Sequence, residues 1–524
     1  MLFNSYIFIL AFMPVMIIGY FFLNSKGAYK AALGFLTLMS FVFTAWLNVF
    51  YLVVLIPAIL INYLLGRKIS EAVHRGTGPS EESQSGGIQG NGIQGSGIHG
   101  SGQQGSQSGK LLLILGLVLN IGALFAFKYV NFFSDTINVI FKTNIPLLKI
   151  ILPLGISFYT FSQISYLVDC YRNQCDKYTL LEYAAYVSYF PKFIQGPITF
   201  SDAIISQFRD DSKKKVQYEN LSVGLYMFAL GLGKKVLLAD VLSLIVDAGY
   251  NNAERICGLG AIIAVIAYSL QIYFDFSGYC DIAAGVSKML NIELPMNFNS
   301  PYKAVSVSDF WSRWHMTLTG FFTKYLYIPM GGNRKGNLRT CLNVMIVFLV
   351  SGLWHGANIT FVLWGALHGI FMVFERLTNI KTHSNPKGII KALRKTVTFI
   401  IVTVLWSLFR ADSIGQFATL WSRVFRGSFF EEGVNPDMVN SLNEVIEIQI
   451  LNKVTPGFLA GKFPGMFVIA MLILGLVICF VPKNVNEKAE KFSPTGMRML
   501  LTVGLMIWCI LSMGTITTFI YSNF

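Results

Sequence analysis

Charge is scarce in this chain. Only 13% of its 524 residues are Asp, Glu, Lys or Arg, while 54% are hydrophobic, and a dispersed soluble domain needs more charge than that. Acidic residues are the rarer sign, 27 against 41 Lys and Arg, for a net charge of +14. In an apolar chain that excess is expected to come from basic loops held at the cytoplasmic face and facing anionic lipid, with no nucleic-acid partner. The N-terminus lacks the basic stretch of a cleavable signal peptide, and its apolar run leads into further runs. Cysteines number seven. Cys170 and Cys175 have no second pair to complete a zinc site, so no metal is expected and the thiols read as buried and inert. There is also no Walker loop and no Gly-x-Ser-x-Gly elbow.

What the chain does have is apolar runs from end to end, which imply an all-α, polytopic transmembrane protein. Nothing basic precedes the first run, Tyr6 to Leu23, whereas Lys26 and Lys30 follow it. That bias places the N-terminus outside. Arg67 with Lys68, Lys213 to Lys215 and Lys483 to Arg498 then mark cytoplasmic loops, and about twelve crossings leave both termini extracytoplasmic. Residues 1–75 form an N-terminal group of spans and 110–524 the main core. Between them, 76–109 is rich in Gly, Gln and Ser with a five-residue repeat. Such a segment cannot bury enough apolar surface to order itself, and is expected to be a disordered cytoplasmic linker. Gly196-Pro197 breaks the run Tyr183 to Phe200, as a re-entrant element would. The aromatic and basic stretch Tyr279 to Thr340 is expected near the cytoplasmic headgroups.

Six histidines are present. His74 and His99 flank or occupy the linker, and His383 lies in a basic loop. His315, His355 and His368 stand in apolar or tryptophan-rich surroundings, where an ionisable group is costly and a functional role becomes the default. His355 lies in Ser351-Gly-Leu-Trp-His-Gly-Ala-Asn358. If the segment is helical, Asn358 shares its face and can orient the ring; the alternative is a hydrogen-bonded core histidine. His315 lies in Asp309-Phe-Trp-Ser-Arg-Trp-His315, a candidate interfacial helix, and reads equally as an aromatic-belt residue. His368, thirteen residues beyond His355, falls off the same helical face and reads as packing. Asp275 and Asp281, at the end of an apolar span, can bind a cation, pair with Lys288 or cap helices. Arg334 and Lys335, in the turn Gly331-Gly-Asn-Arg334, are candidates for meeting phosphates.

Six ordered motifs resemble the membrane-bound O-acyltransferase family, in its alginate O-acetylation branch. They are Pro153-Leu-Gly-Ile-Ser-Phe-Tyr-Thr160, Tyr189-Phe-Pro-Lys-Phe-Ile-Gln-Gly-Pro197, Asp275-Phe-Ser-Gly-Tyr279, Phe310-Trp-Ser-Arg-Trp-His315, Tyr327-Ile-Pro-Met-Gly-Gly-Asn-Arg334 and Leu353-Trp-His-Gly356. They cover nearly the whole chain apart from the linker. The resemblance implies a ring of tilted helices around a tunnel, with His355 catalytic and His315 a second functional histidine. It implies an acyl thioester such as acetyl-CoA as donor, with no tightly bound cofactor, and hydroxyl groups of a polysaccharide as acceptor. It further implies an extracytoplasmic partner acyltransferase. Trp354, Asn358, Arg334 and Lys335 are then the candidate substrate-binding or orienting residues. D-alanyl transfer to a cell-wall polymer, or a non-catalytic polysaccharide-export channel, are the alternatives.

Overall fold

Lipid can satisfy no backbone group, so a chain this apolar must close its hydrogen bonds within each segment. The computed structural model does so: it describes residues 1–76, 107–175, 177–380, 387–425, 434–454, 463–514 and 519–520, which are helical with no strand among them. Most of the expected linker, with His99, lies outside the described residues, as do His383 in its basic loop and, in a later loop, Glu431 and Glu432. Gln107 to Gly109, expected in the linker, already belong to a helix.

In chain order the elements used below are α1 (Phe8–Ser25), α2 (Tyr29–Ala45), α3 (Phe50–Gly76), α4 (Gln107–Lys128), α5 (Ile156–Tyr171) and α6 (Leu180–Ser188). Then come α7 (Tyr218–Gly233), α8 (Asp240–Asn251), α9 (Gly258–Met289), α10 (Val307–Trp311) and α11 (Met316–Phe322). The last are α12 (Gly336–His355), α13 (Ile359–Leu377), α14 (Gly388–Arg410), α15 (Phe463–Phe480) and α16 (Gly496–Ser512). Among the described residues seven helices are long and apolar enough to cross a membrane: α1, α3, α4, α9, α12, α13 and α14. Three apolar helices, α2, α15 and α16, are shorter. The protein is a multi-pass membrane protein.

Burial separates centre from rim. The most apolar window of α9 is 83% buried, whereas that of α4 is 17% buried and turns Leu111, Val118 and Ile121 outward. Lipid is the solvent for those side chains. Helix α9 is therefore the axis of the molecule, and α7, α8 and α14 pack along it. The approach of α7 is set by glycine: a Cβ on Gly231 would meet the Gly278 carbonyl at 2.8 Å, and one on Gly224 the Gly285 carbonyl at 2.6 Å. Small residues bring membrane helices together in this way.

The sequence places Asp275 and Asp281 at the end of a span, but α9 runs through both to Met289. Their partners are two adjacent lysines on a π-helical turn, Lys234–Ala239, that joins α7 to α8. Lys235 Nζ lies 2.7 Å from Asp275 and 2.8 Å from Asp240, and Lys234 Nζ lies 2.6 Å from Asp281. Lys288, the expected partner, instead meets Glu293 at 2.9 Å. Buried charges persist only when paired, and the pairing lets α9 carry two carboxylates through the core.

The break at Gly196-Pro197 is present: α6 ends at Ser188, a short turn Phe190–Phe193 follows, and residues 194–199 are buried without helical structure. Headgroup placement of Tyr279 to Thr340 fails for its two tryptophans, whereas Tyr325 and Tyr327 are partly exposed. Trp311 and Trp314 are buried, and Trp314 packs on Trp406 at 4.9 Å and on Phe310 at 5.4 Å. These indoles belong to the core because α14 supplies a second aromatic face against them.

Candidate active site

Helix α12 stops at His355 because the next residues leave helical space: Gly356 is extended, and Asn358 caps α13, its side-chain oxygen accepting from the Thr360 N–H at 3.1 Å. The chain then folds back. A Cβ on Gly352 would lie 2.4 Å from the Phe361 carbonyl, and one on Gly365 2.3 Å from that of Phe348. The glycines beside His355 thus serve helix–helix contact. The last carbonyls of α12 are capped from outside: Lys128 Nζ, at the end of α4, donates to the carbonyls of Trp354 (2.6 Å) and His355 (3.2 Å), and Tyr129 Oη donates to that of Leu353 (2.7 Å). A cation at a helix C-terminus meets both the orphan carbonyls and the negative end of the dipole.

This cap fixes His355 within an aromatic wall. The buried ring meets Trp364 edge-on at 5.2 Å, Phe409 at 5.3 Å and Trp354 at 4.9 Å. Trp354 in turn stacks on Phe161 at 5.1 Å and meets Phe158 at 5.5 Å, both on α5. Its indole Nε1 is buried without a hydrogen-bond partner.

His315 also lies near Trp354, 6.3 Å from it between ring centroids. An interfacial helix is not what holds it. His315 is fully buried in the turn between α10 and α11, and its backbone is left-handed at φ 45°. A non-glycine residue in that region stores strain that the surroundings must impose. Its Nδ1 lies 3.1 Å from Asn297 Oδ1, which also accepts from the Thr317 N–H (3.2 Å) and hydroxyl (2.9 Å). An amide oxygen can only accept, so Nδ1 carries the proton and Nε2 presents its lone pair. That Nε2 is buried with no hydrogen-bond partner. Outside the membrane-spanning helices, burial pushes this imidazole down to about 3, so the ring is neutral.

The sequence candidates are divided by this geometry. His355, Trp354 and His315 come together. Asn358 does not orient His355, because the helix ends between them and its Nδ2 donates to the Asp412 carbonyl at 2.8 Å. Arg334 and Lys335 precede α12, at the opposite end from His355, about 30 Å away for a helix of that length. His368 lies on α13 rather than on a continuation of α12. Its Nδ1 accepts from Trp311 Nε1–H at 3.1 Å, and its ring meets Trp364 at 4.9 Å, so it braces the wall from behind.

Sequence reasoning missed Asn297, Lys128 and Lys192. Asn297 and Lys128 act across the fold and leave no local signal. Lys192 had one, a lysine inside an apolar run. It is buried, 3.7 Å over the Tyr186 ring and 3.4 Å from Ser162 Oγ, with no ion pair among the described residues. Around the same segment Gln163 and Gln195 bury both side-chain amide atoms without hydrogen-bond partners. A group of buried polar side chains thus adjoins α5 and the Gly196-Pro197 break, and the Ile198 N–H ties this segment to the His315 cluster through Thr317 Oγ1 at 3.0 Å.

Comparison with known proteins bears on this arrangement. A sequence model of the MBOAT, membrane-bound O-acyltransferase family matches residues 110–409, a span holding both histidines. The chain is 34% identical to a peptidoglycan O-acetyltransferase of Helicobacter pylori, over 100% of this chain and 98% of the relative. It is 33% identical to the "Probable alginate O-acetylase AlgI" of Pseudomonas aeruginosa over 79% of this chain and 73% of that one. A teichoic acid D-alanyltransferase of Bacillus subtilis is 26% identical over 42% of this chain and 58% of its own length.

Proposed function

The chain belongs to the membrane-bound O-acyltransferase family, and from that premise we propose that it carries acetyl from a cytoplasmic thioester, acetyl-CoA or a related donor, toward hydroxyls of an extracytoplasmic polysaccharide. The observation that carries this reading is the pair of buried histidines that both approach Trp354, at 4.9 Å and 6.3 Å, the more distant one, His315, having no partner for its Nε2 among the described residues. In transfer, a hydroxyl oxygen attacks the thioester carbonyl carbon, a C–O bond forms, and the C–S bond breaks with the electrons leaving on sulfur. His355 takes the hydroxyl proton as attack begins and returns it to the departing thiolate. His315, held in one tautomer by Asn297, is the second polar group at the reacting centre. The aromatic wall keeps out bulk water, which favours transfer over hydrolysis. Arg334 and Lys335 would meet the phosphate end of an extended donor at the far end of α12.

Orientation follows from the same contacts. Lys128 on the Trp354 and His355 carbonyls means that α4 and α12 end at one depth. With the linker and the turn at Arg334 and Lys335 cytoplasmic, both helices begin inside and His355 lies toward the outer leaflet, where the acyl group is handed to the glycan or to a partner acyltransferase. Similarity along the whole chain to the O-acetyltransferase, against 42% for the D-alanyl relative, favours acetyl.

The test feeds radiolabelled acetyl thioester to the cytoplasmic face of vesicles carrying the protein. Label is expected on extracytoplasmic glycan or on an extracytoplasmic protein. Transfer of D-alanyl from a carrier, with acetyl left untouched, would overturn the assignment of the acyl group.

A further inference from the structure

The two apolar helices at the end of the chain have separate supports: α15 packs on α9, and α16 on α7. Between them lies a cavity of about 440 Å³, walled by Leu237, Val241, Met471, Leu474, Ile478 and Leu505. Its floor extends along the α7–α8 run from Leu230 to Val241, about 16 Å at helical rise. That is roughly the hydrocarbon depth of one leaflet.

At one end this cleft joins a second cavity of about 460 Å³, and Leu230, Lys483, Lys488 and Leu505 line both. The rim there is basic. Lys491 and Arg498 join Lys483 and Lys488, and the one carboxylate on the rim, Glu487, accepts from Asn484 Nδ2 at 2.7 Å. Arg498 donates to the Ser493 hydroxyl at 2.7 Å. Lys483, Lys488 and Lys491 make no ion pair among the described residues. Burial, then the nearby Lys234 ammonium, pushes the Lys488 amine below its ordinary value, with Lys303 adding to the effect and Asp281 opposing it. A cluster of cations, in excess over Glu487 on the same rim and Glu447 on the cleft wall, thus stands at the mouth of the cleft, on the side that charge bias makes cytoplasmic.

We infer that this cleft is a site for one anionic diacyl phospholipid, with its phosphate against Lys483, Lys488 and Lys491 and its acyl chains between α15 and α16. Neither half of the site needs the other side's chemistry: apolar burial holds the chains, and the lysines select for negative charge at the headgroup. The lipid ties the last two helices to α7 and is independent of the acyl-transfer chemistry.

The test uses full-length protein, purified in detergent and stripped of lipid, with thermal unfolding as readout. Phosphatidylglycerol should raise Tm by several degrees, as a ligand bound only to the folded state does. Phosphatidylcholine with the same chains should raise it far less. The triple variant Lys483→Gln, Lys488→Gln, Lys491→Gln should keep its lipid-free Tm and lose the difference between the two lipids. Leu474→Trp, which fills the cleft, should lose the response to phosphatidylglycerol. Equal shifts from the two lipids, or a wild-type phosphatidylglycerol shift in the triple variant, would overturn the inference. So would the same shift from coenzyme A or inorganic phosphate alone, or displacement of phosphatidylglycerol by a polyprenyl phosphate.

Discussion

At the scale of single residues, the site depends on side chains that other side chains hold in one state. His315 is the clearest case, since Asn297 Oδ1 fixes its proton on Nδ1 and leaves Nε2 turned inward. Asn297→Leu removes that acceptor while keeping most of the volume, and should lower acyl transfer by about tenfold to a hundredfold through misplacement of the ring. Asn297→Asp keeps the acceptor and should retain more activity than Asn297→Leu at matched thermal stability. Equal losses in the two variants would mean that Asn297 acts by packing alone. His355 and His315 were legible in the sequence as ionisable groups in apolar surroundings. Asn297 was not, because it lies 18 residues from His315 and only the fold joins them. The proposed role for Asn358 assumed an unbroken helix, and the turn at Gly356 removed its basis.

Among the elements, α9 shows how far local pattern can be read and where it stops. Hydropathy marks its first half, but Asp275 and Asp281 look like the end of a span, because their partners Lys235 and Lys234 lie some forty residues earlier on a neighbouring helix. Only the packing of α7 on α9 makes the carboxylates compatible with the core. Breaking one partner of a buried pair leaves an uncompensated charge, so Asp275→Asn should destabilise the protein by about 3–5 kcal/mol. The triple change Lys235→Met, Asp275→Leu and Asp240→Asn, which leaves neither carboxylate charged beside a missing lysine, should recover part of that loss, measured by thermal unfolding in detergent. A triple variant less stable than Asp275→Asn would show that the charges do more than neutralise one another. The break at Gly196-Pro197 was legible, since glycine and proline act locally. The burial of Trp311 and Trp314 was not, since the same residues suit a headgroup belt until α14 is laid against them.

As a whole, the molecule is a membrane acyltransferase in which α4, α5, α12, α13 and α14 converge around the proposed site at His355, with long lipid-facing helices around them. Charge bias predicts both termini outside and residues 77–106 inside. Labelling of Ser96→Cys, in a background without the seven native cysteines, should therefore require permeabilised cells. Deleting residues 79–106 should preserve transfer, since it leaves α3 and α4 whole. Loss of activity at normal protein levels would give that segment a role this topology does not assign. The class of protein was readable from composition and motifs. The aromatic wall around His355 was not, because it is assembled from four separate stretches of chain. The most direct test of the central claim is acyl transfer per unit of folded His355→Gln protein, with thermal stability measured on the same samples. Glutamine keeps hydrogen-bonding capacity and most of the volume but cannot act as a base at neutral pH. Transfer should fall by about a hundredfold or more with stability nearly unchanged, whereas His368→Gln should stay close to wild type; near-normal transfer by His355→Gln would contradict the catalytic assignment.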